Sequence, residues 1–521
     1  MQRIAKLRPS IGRLTAAAAV MGFTGLLAHD ASAQQALTRT RVTAAVTETI
    51  ASVNPYADSV SLMYAIYSQT YGNIVDWNFE KGGYVSRFAE SWSNPDNLTW
   101  VFKLKPGLKR HNGEPVVAAD FIHSIGRAMN DPQTKQKHNV RWIKEMSAPD
   151  DLTVIFKTSE PVAPMLEHFS RIAVTSKAQW DKLGPAADKE APFGAGPYAI
   201  KQVAVDNFFA MTKVPDHPDV KPENPDEVIF RIMKEPESRV TALLNGEIQI
   251  AQFIPPQLVP RIQNSTSAHI SWEDAVELMF LAMSPEHKPW DKKEARQAVA
   301  YAIDRDALIK VLLNGQATRL DGPIGQGQFA YDPNLAPKYE YNPAKARELL
   351  KQAGYPNGVE IDFYATVGRY IADKQICEAI VPMLEAAGFK VTLKTPEWGT
   401  MWANVQKGGT PFYYMGRGSV IDPSAALSQY FETGQSPRIK FSNPQVDAAL
   451  SAERREFDGT KRVALMRQAM SIITDEAPAH FMWRHKMATG VANTLEFKPD
   501  PTMDIFAVNI KIKPRRAAGA K

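Results

Sequence analysis

Arg369 is the residue in this chain best placed to hold an anion. It lies in the loop Thr366-Val367-Gly368-Arg369-Tyr370, after a stretch from Val359 to Ala365 that alternates apolar and polar residues as a strand does. A helical run begins at Ala372. A guanidinium offers a fixed positive fork, and the first turn of a helix offers unpaired amide hydrogens, so together they suit a carboxylate or phosphate. Spacing alone also allows a solvated loop arginine.

Catalytic machinery is not legible. A nucleophile needs a base in reach and a shaped oxyanion site, yet no Gly-x-Ser-x-Gly elbow occurs. His-Glu-x-x-His is missing, so a zinc peptidase lacks its ligand pair. Gly325-Gln326-Gly327 is too short to cradle phosphate, and the carboxylates are scattered. His480 and His485 stand five apart, with His287 elsewhere. Cys377 is the single cysteine, so no intramolecular disulfide forms. It falls on the apolar face of a helix and reads as a buried, inert thiol.

The elements that position Arg369 are regular. Asn342-Pro343 opens a helix carrying Ala346, Leu349, Leu350 and Ala353, and Gly354 closes it. Val359 to Ala365 is a strand, Ala372 to Ala387 a helix that Pro382 interrupts, and Phe389 to Leu393 a second strand. Such a βαβ unit implies parallel pairing and a right-handed crossover. Ligands of open α/β sheets sit beyond the carboxyl ends of the strands, where Arg369 stands. Earlier, Leu98 to Leu104 alternates as a strand and Ala118 to Met129 reads as a helix. Asp291 with Glu294 resembles a capping box, and Asp304 restarts a second helix that Gly315 ends.

Residues 1–33 read as a cleaved targeting segment: Arg3, Lys6, Arg8 and Arg13, an apolar run from Leu14 to Ala28, then Ala31-Ser32-Ala33. The run is shorter than the roughly 20 residues that span a bilayer. Cleavage after Ala33 starts the mature chain at Gln34, and no cysteine follows to carry a lipid. The formal charge of +5 is inflated by this segment, which holds four of the 61 cations and one of the 56 acids. No basic run with interleaved aromatics appears, which argues against nucleic acid. Only the tail from Pro514 reads as disordered.

Ordered blocks then carry a family resemblance. They include Asn54-Pro55-Tyr56, Ala89-Glu90-Ser91-Trp92, Leu98 to Gly107, and His111-Asn112-Gly113-Glu114-Pro115. Gly194-Ala195-Gly196-Pro197-Tyr198, Asn245 to Ile250, Ala302-Ile303-Asp304-Arg305 and Tyr341 to Ala346 follow. In this order the chain resembles the extracytoplasmic solute-binding proteins of dipeptide, oligopeptide, glutathione and nickel ABC importers (family 5).

The resemblance implies an α/β, two-lobed periplasmic-binding-protein fold with mixed sheets, a hinge and an extra subdomain in lobe I. Lobe I would span 34–283 with 484–521 and lobe II 284–483, with crossings near Leu281 to Ser284 and His480 to His485. It implies a monomeric periplasmic receptor without catalysis or cofactor. The receptor would capture a peptide or peptide-like solute and deliver it to ABC permease subunits with cytosolic ATPases. Nickel or a metal chelate is the alternative within the family, and a secreted hydrolase the alternative outside it.

The same resemblance supplies candidate ligand contacts. Arg369 matches the carboxylate-holding arginine, Tyr370 adjoins it, and Trp398 lines the pocket. Tyr414, Gly416, Arg417, Ser419 and Asp422 fall where peptide binders place an acid for the ligand's amino group, and Asn54 and Tyr56 belong to the first block. Ser419 and Val420 occupy the places of that acid. Two arginines at strand ends therefore imply a ligand more anionic or more substituted than a simple dipeptide, unless Asp422 or an acid of the other lobe meets the ammonium.

Overall fold

Period-two burial builds the sheets of this chain. The computed structural model describes residues 40–514 except 49, 51, 59–60, 80, 82, 189–192, 419–420 and 436–437. The segment expected to be cleaved, and all but the first residue of the expected disordered tail, lie outside the described residues.

The chain enters through β1 (Arg41–Val46) and a short hairpin, β2 (Asp76–Asn78) with β3 (Gly83–Val85). A separate antiparallel sheet follows, from β4 (Ala89–Ser93), β5 (Thr99–Leu104), β6 (Ile143–Asp150) and β7 (Thr153–Thr158), in the order β4-β5-β7-β6. Along β5, Trp100, Phe102 and Leu104 are buried and Lys103 is exposed, the alternation expected of a strand with one wet face. The helix Ala118–Asn130 packs Phe121 and Ile125 onto this sheet's core.

The principal sheet gathers β8 (Tyr198–Ala204), β9 (Phe208–Lys213), β10 (Glu227–Ile232), β11 (Ile250–Ile254) and the long β12 (Ala268–Met283). It adds β13 (Ala317–Arg319), β14 (Val359–Tyr364), β15 (Phe389–Lys394), β16 (Phe412–Arg417) and β17 (Ala479–Ala492). Its order is β15-β14-β16-β12-β17-β11-β1-β10-β9-β8, with β13 on β17. Both parallel and antiparallel pairs occur, so the α/β fold has a mixed sheet.

The expected βαβ unit is present: β14 and β15 pair in parallel from Val359↔Phe389 to Tyr364↔Lys394, joined by the helix Asp373–Ala386 with Pro382 inside it. Asn342 caps the preceding helix by accepting the Lys345 amide, and Gly354 turns the chain at φ +96°. Asp304 likewise caps Arg305–Leu312 through the Ala307 amide. The capping box at Asp291 does not form. That helix starts at Lys293, because Trp290 is fully buried against Phe412 and Phe389 and keeps Asp291 in the turn before it.

The strands β12 and β17 form the middle of the sheet. Their register runs evenly from Ala268↔Ala492 to Asp274↔Lys486, slips, and resumes at Leu278↔Arg484. On one side of the slip β17 pairs with β11; on the other β12 pairs with β16. The slip leaves Ala275, Val276 and Glu277 outside the ladder, a bulge of the kind that turns a strand.

Candidate ligand cleft

A cavity of about 1630 Å³ opens beside this bulge. It exceeds the roughly 300–1,000 Å³ of a typical small-molecule site. Its wall carries Arg171, Glu167, Glu273, Ile421, Asp500 and Asp504. The loop 500–504 is tied to the bulge, since the Val276 amide donates to the Pro501 carbonyl at 2.9 Å. Arg171 lies 5.1 Å above the Tyr64 ring and donates to Glu167 at 3.2 Å.

Asp500 and Asp504 are clamped to one hydroxyl. Thr502 Oγ1 lies 2.6 Å from Asp500 Oδ1 and 2.7 Å from Asp504 Oδ2. A hydroxyl carries a single hydrogen, so with both contacts hydrogen-bonded one carboxyl must itself be protonated and donate. Burial first, and each other's charge for Asp504, push both carboxyls up: Asp500 to about 6 and Asp504 well above its ordinary range.

A second group, none of it lining the cavity, brings together Arg369, Tyr370, Trp398, Tyr414 and Gly416. Arg369 is exposed, with its guanidinium 5.0 Å from the Tyr370 ring centre and 5.4 Å from that of Trp398. Trp398 stacks on Trp402 at 5.6 Å. Tyr370 stands edge-on to Trp398 and to Tyr414, and its hydroxyl lies 3.5 Å from the Gly416 carbonyl. Burial raises the Tyr370 phenol to about 12. Tyr414 is fully buried, and its hydroxyl has no hydrogen-bond partner among the described residues.

The helix beside Arg369 carries its own carboxylate in its first turn. Asp373 accepts the amides of Gly368, Arg369 and Tyr370 at 2.9, 2.9 and 3.1 Å. Those loop donors serve an internal carboxylate that also takes the first-turn Lys374 amide at 2.8 Å, so an anion arriving at this helix terminus would meet a carboxylate already in place.

The other candidates are placed elsewhere. Arg417 is buried and donates to the Pro323 carbonyl at 2.7 Å; burial lowers its guanidinium to about 10. Successive side chains of a strand point to opposite faces, so Arg417 shares a face with Tyr413 and Met415 and not with Gly416. Asp422 is paired with Arg462 at 2.7 Å. Asn54 accepts the Tyr56 amide at 3.0 Å in an Asx turn, and the Tyr56 hydroxyl meets Ala173 O and Thr175 Oγ1 at 2.9 Å in the core beneath β5. Ser419 lies outside the described residues.

Among the described residues no three His, Cys, Asp or Glu side chains converge as a metal-ligand group. His480 and His485 are buried in β17, five residues apart with a register slip at Met482 between them, so strict alternation does not hold and both fall on the face of Met279 and Leu281. Burial pulls His485 down to about 4. His287 Nε2 lies 3.3 Å from the Gly408 carbonyl. Cys377 is buried, which raises its thiol well above the ordinary value. Also among the described residues, no helix is long and apolar enough to cross a membrane.

A family model described as bacterial extracellular solute-binding proteins, family 5, middle, matches residues 83–438. The chain belongs to this family. Relatives of this solute-binding protein include a glutathione-binding protein of Pectobacterium atrosepticum, 29% identical over 472 residues, covering 87% of this chain and 90% of that one. Its counterpart in Salmonella typhi is 26% identical over 468 residues, with the same coverage. The fold is that of periplasmic binding proteins. CtaP, an ABC transporter substrate-binding protein of Listeria monocytogenes, superposes with a TM-score of 0.81 at 20% identity, over 91% of this chain and 99% of that one. DppA of Helicobacter pylori, in complex with the peptide STSA, gives 0.72 at 22%, over 93% and 100%.

Sequence reading missed the acids of this family member's cavity wall, Asp500 and Asp504, and those near Arg369 and the bulge. Glu48 follows β1, Glu277 sits in the bulge, and Asp500 and Asp504 lie in a loop near the end of the chain. One signal was present: Glu277 is the lone charge in the run from Ala275 to Met283. An acid inside an apolar strand needs a reason.

Proposed function

We propose that the protein is a non-catalytic periplasmic receptor that captures a peptide or peptide-like solute and delivers it to ABC permease subunits. The observation carrying this reading is the pairing of opposites at one cleft. Arg369, seated on two aromatic rings, offers a positive anchor, and Glu277 stands across Gly416 from its supporting Tyr370, both within about 3 Å of a Cβ built on that glycine. A peptide with free ends presents the complementary charges. The family relatives are named as binding proteins for glutathione, which supports a small peptide-like ligand.

The motion is hinge closure between lobe I (34–283 with 484–521) and lobe II (284–483). The crossings would lie near Leu281 to Ser284 and His480 to His485; a few residues before the first, at the slip between Asp274 and Leu278, the two central strands exchange neighbours. Closure would be stabilised by a ligand touching both halves. Export would follow cleavage after Ala33, and the mature receptor would act as a monomer.

Native mass spectrometry of protein purified without refolding, followed by titration of the co-purified compound in small-angle scattering, tests the reading. A bound peptide-like mass and a smaller radius of gyration on rebinding are expected. An empty chain whose dimensions ignore every peptide would overturn it.

A further inference from the structure

We propose that the turn 454–457 of lobe II is a clasp, which docks on the inserted subdomain of lobe I and holds the receptor shut in the absence of ligand. This rests on the two-lobe receptor reading above and adds to it a closing contact independent of the solute.

The turn joins two helices of lobe II, Pro444–Glu453 and Gly459–Glu476. Its apolar side chain does not serve that lobe. Phe457 packs on the core of the β4–β7 sheet and on neither core of lobe II. Its ring centre lies 5.9 Å from that of Trp100, which is buried on β5. Beside it the Ala163 amide, in the loop after β7, donates to the Arg454 carbonyl at 2.7 Å. Arg455 faces Glu160 of the same loop at 3.6 Å. Four residues of lobe II thus make an apolar, a main-chain and an ionic contact with two segments of the subdomain. The ion pair is exposed and contributes little; the phenyl ring taken out of water contributes most.

The turn is braced from behind. Arg454 grips both oxygens of Glu432, at 2.7 and 2.8 Å, and Arg462 ties Glu453 to Asp422. Asp422 follows Ile421, the lobe II residue on the cavity wall. A docked clasp therefore fixes Ile421 against a cavity otherwise lined by lobe I.

None of Trp100, Glu160, Ala163, Arg454, Arg455 and Phe457 lines the cavity, so these contacts do not wait for a guest. A closed form that is already populated spares the ligand the cost of closing, and every solute gains by the same factor.

Small-angle scattering of the protein, stripped of ligand by unfolding and refolding, tests this. A compact chain of this size has a radius of gyration of about 23 Å. Ligand-free wild type is expected at the radius of the clasped structure, and Phe457→Ala about 1 Å above it. Arg455→Glu changes an exposed side chain and is expected to shift the radius the same way by less. Adding Glu160→Arg to it is expected to restore the wild-type value. Ligand-free wild type larger than the clasped structure overturns the inference. So do variants with wild-type circular dichroism that keep the wild-type radius. Either result leaves the receptor reading standing, which falls instead on an empty chain whose dimensions ignore every peptide.

Discussion

The Asp373 carboxylate holds the backbone of Arg369, accepting its amide at 2.9 Å while also taking the amides on either side. Asp373 is buried, at the first turn of the helix joining β14 to β15. The exposed arginine is thus fixed by a buried residue. Removing the acceptor strands three donors. A hydrogen bond to a charged group contributes about 1.5–3 kcal/mol, and an orphaned buried donor costs about 1–3 kcal/mol. Asp373→Ala is therefore expected to lose about 2–4 kcal/mol of unfolding free energy in urea. Peptide affinity should fall with it, because Arg369 loses its placement. Unchanged urea stability would mean that these bonds are absent in solution.

Gly416 marks where the cleft group is tightest. A Cβ there would stand 2.7 Å from Tyr370 Cε1 and 3.0 Å from Met279 Sδ. Overpacking of this kind costs about 1–3 kcal/mol. The Tyr370 ring must turn, and it supports the Arg369 guanidinium. Gly416→Ala is expected to weaken peptide binding by about tenfold and to change the emission of Trp398, which stands edge-on to that ring. Wild-type affinity with wild-type emission would show that Tyr370 has no part in presenting the arginine.

The βαβ unit was legible because its signals are local: the alternation of β14, the Asn342-Pro343 cap and the Gly354 turn each lie within a few residues. Arg369 followed from strand order. The face of Arg417 was legible too, since Gly416 and Arg417 cannot share one side of a strand, and treating the segment as a block hid that. Asn54 and Tyr56 were recognisable as a motif but not as a turn anchored in the core. The acids were harder. Glu48, Glu277 and Asp504 are separated by more than two hundred residues each, and only the sheet order that places β1 two strands from β17 and three from β12 brings them together. No local pattern carries that information.

Asp422 serves the fold through Arg462, whose guanidinium also donates to Glu453 at 3.0 Å. All three side chains are at least nine-tenths buried, and Phe329 covers the guanidinium at 4.7 Å. Breaking one side of a buried ionic cluster leaves uncompensated charge and costs about 3–5 kcal/mol. Arg462→Met is expected to destabilise by that amount in chemical denaturation, with Asp422 and Glu453 left facing each other. A loss below about 1 kcal/mol would show that solvent reaches the cluster.

Asp504 supplies a pH dependence whose sign is fixed. Its carboxyl is raised above the ordinary value by burial and by Asp500. Between the unfolded value near 3.9 and the folded one, the native chain keeps a proton that the unfolded chain has released. Stability contributed by this group therefore falls as pH rises through that window, and it is fully present only below it. Asp500, raised to about 6, acts in the same direction. Asp504→Asn removes the titration while retaining an acceptor for Thr502. The variant is expected to melt higher than the wild type at pH 8, with the gap closing toward pH 4 in ligand-free protein. A gap of constant size across that range would show that Asp504 is solvated and ionises normally in the native state.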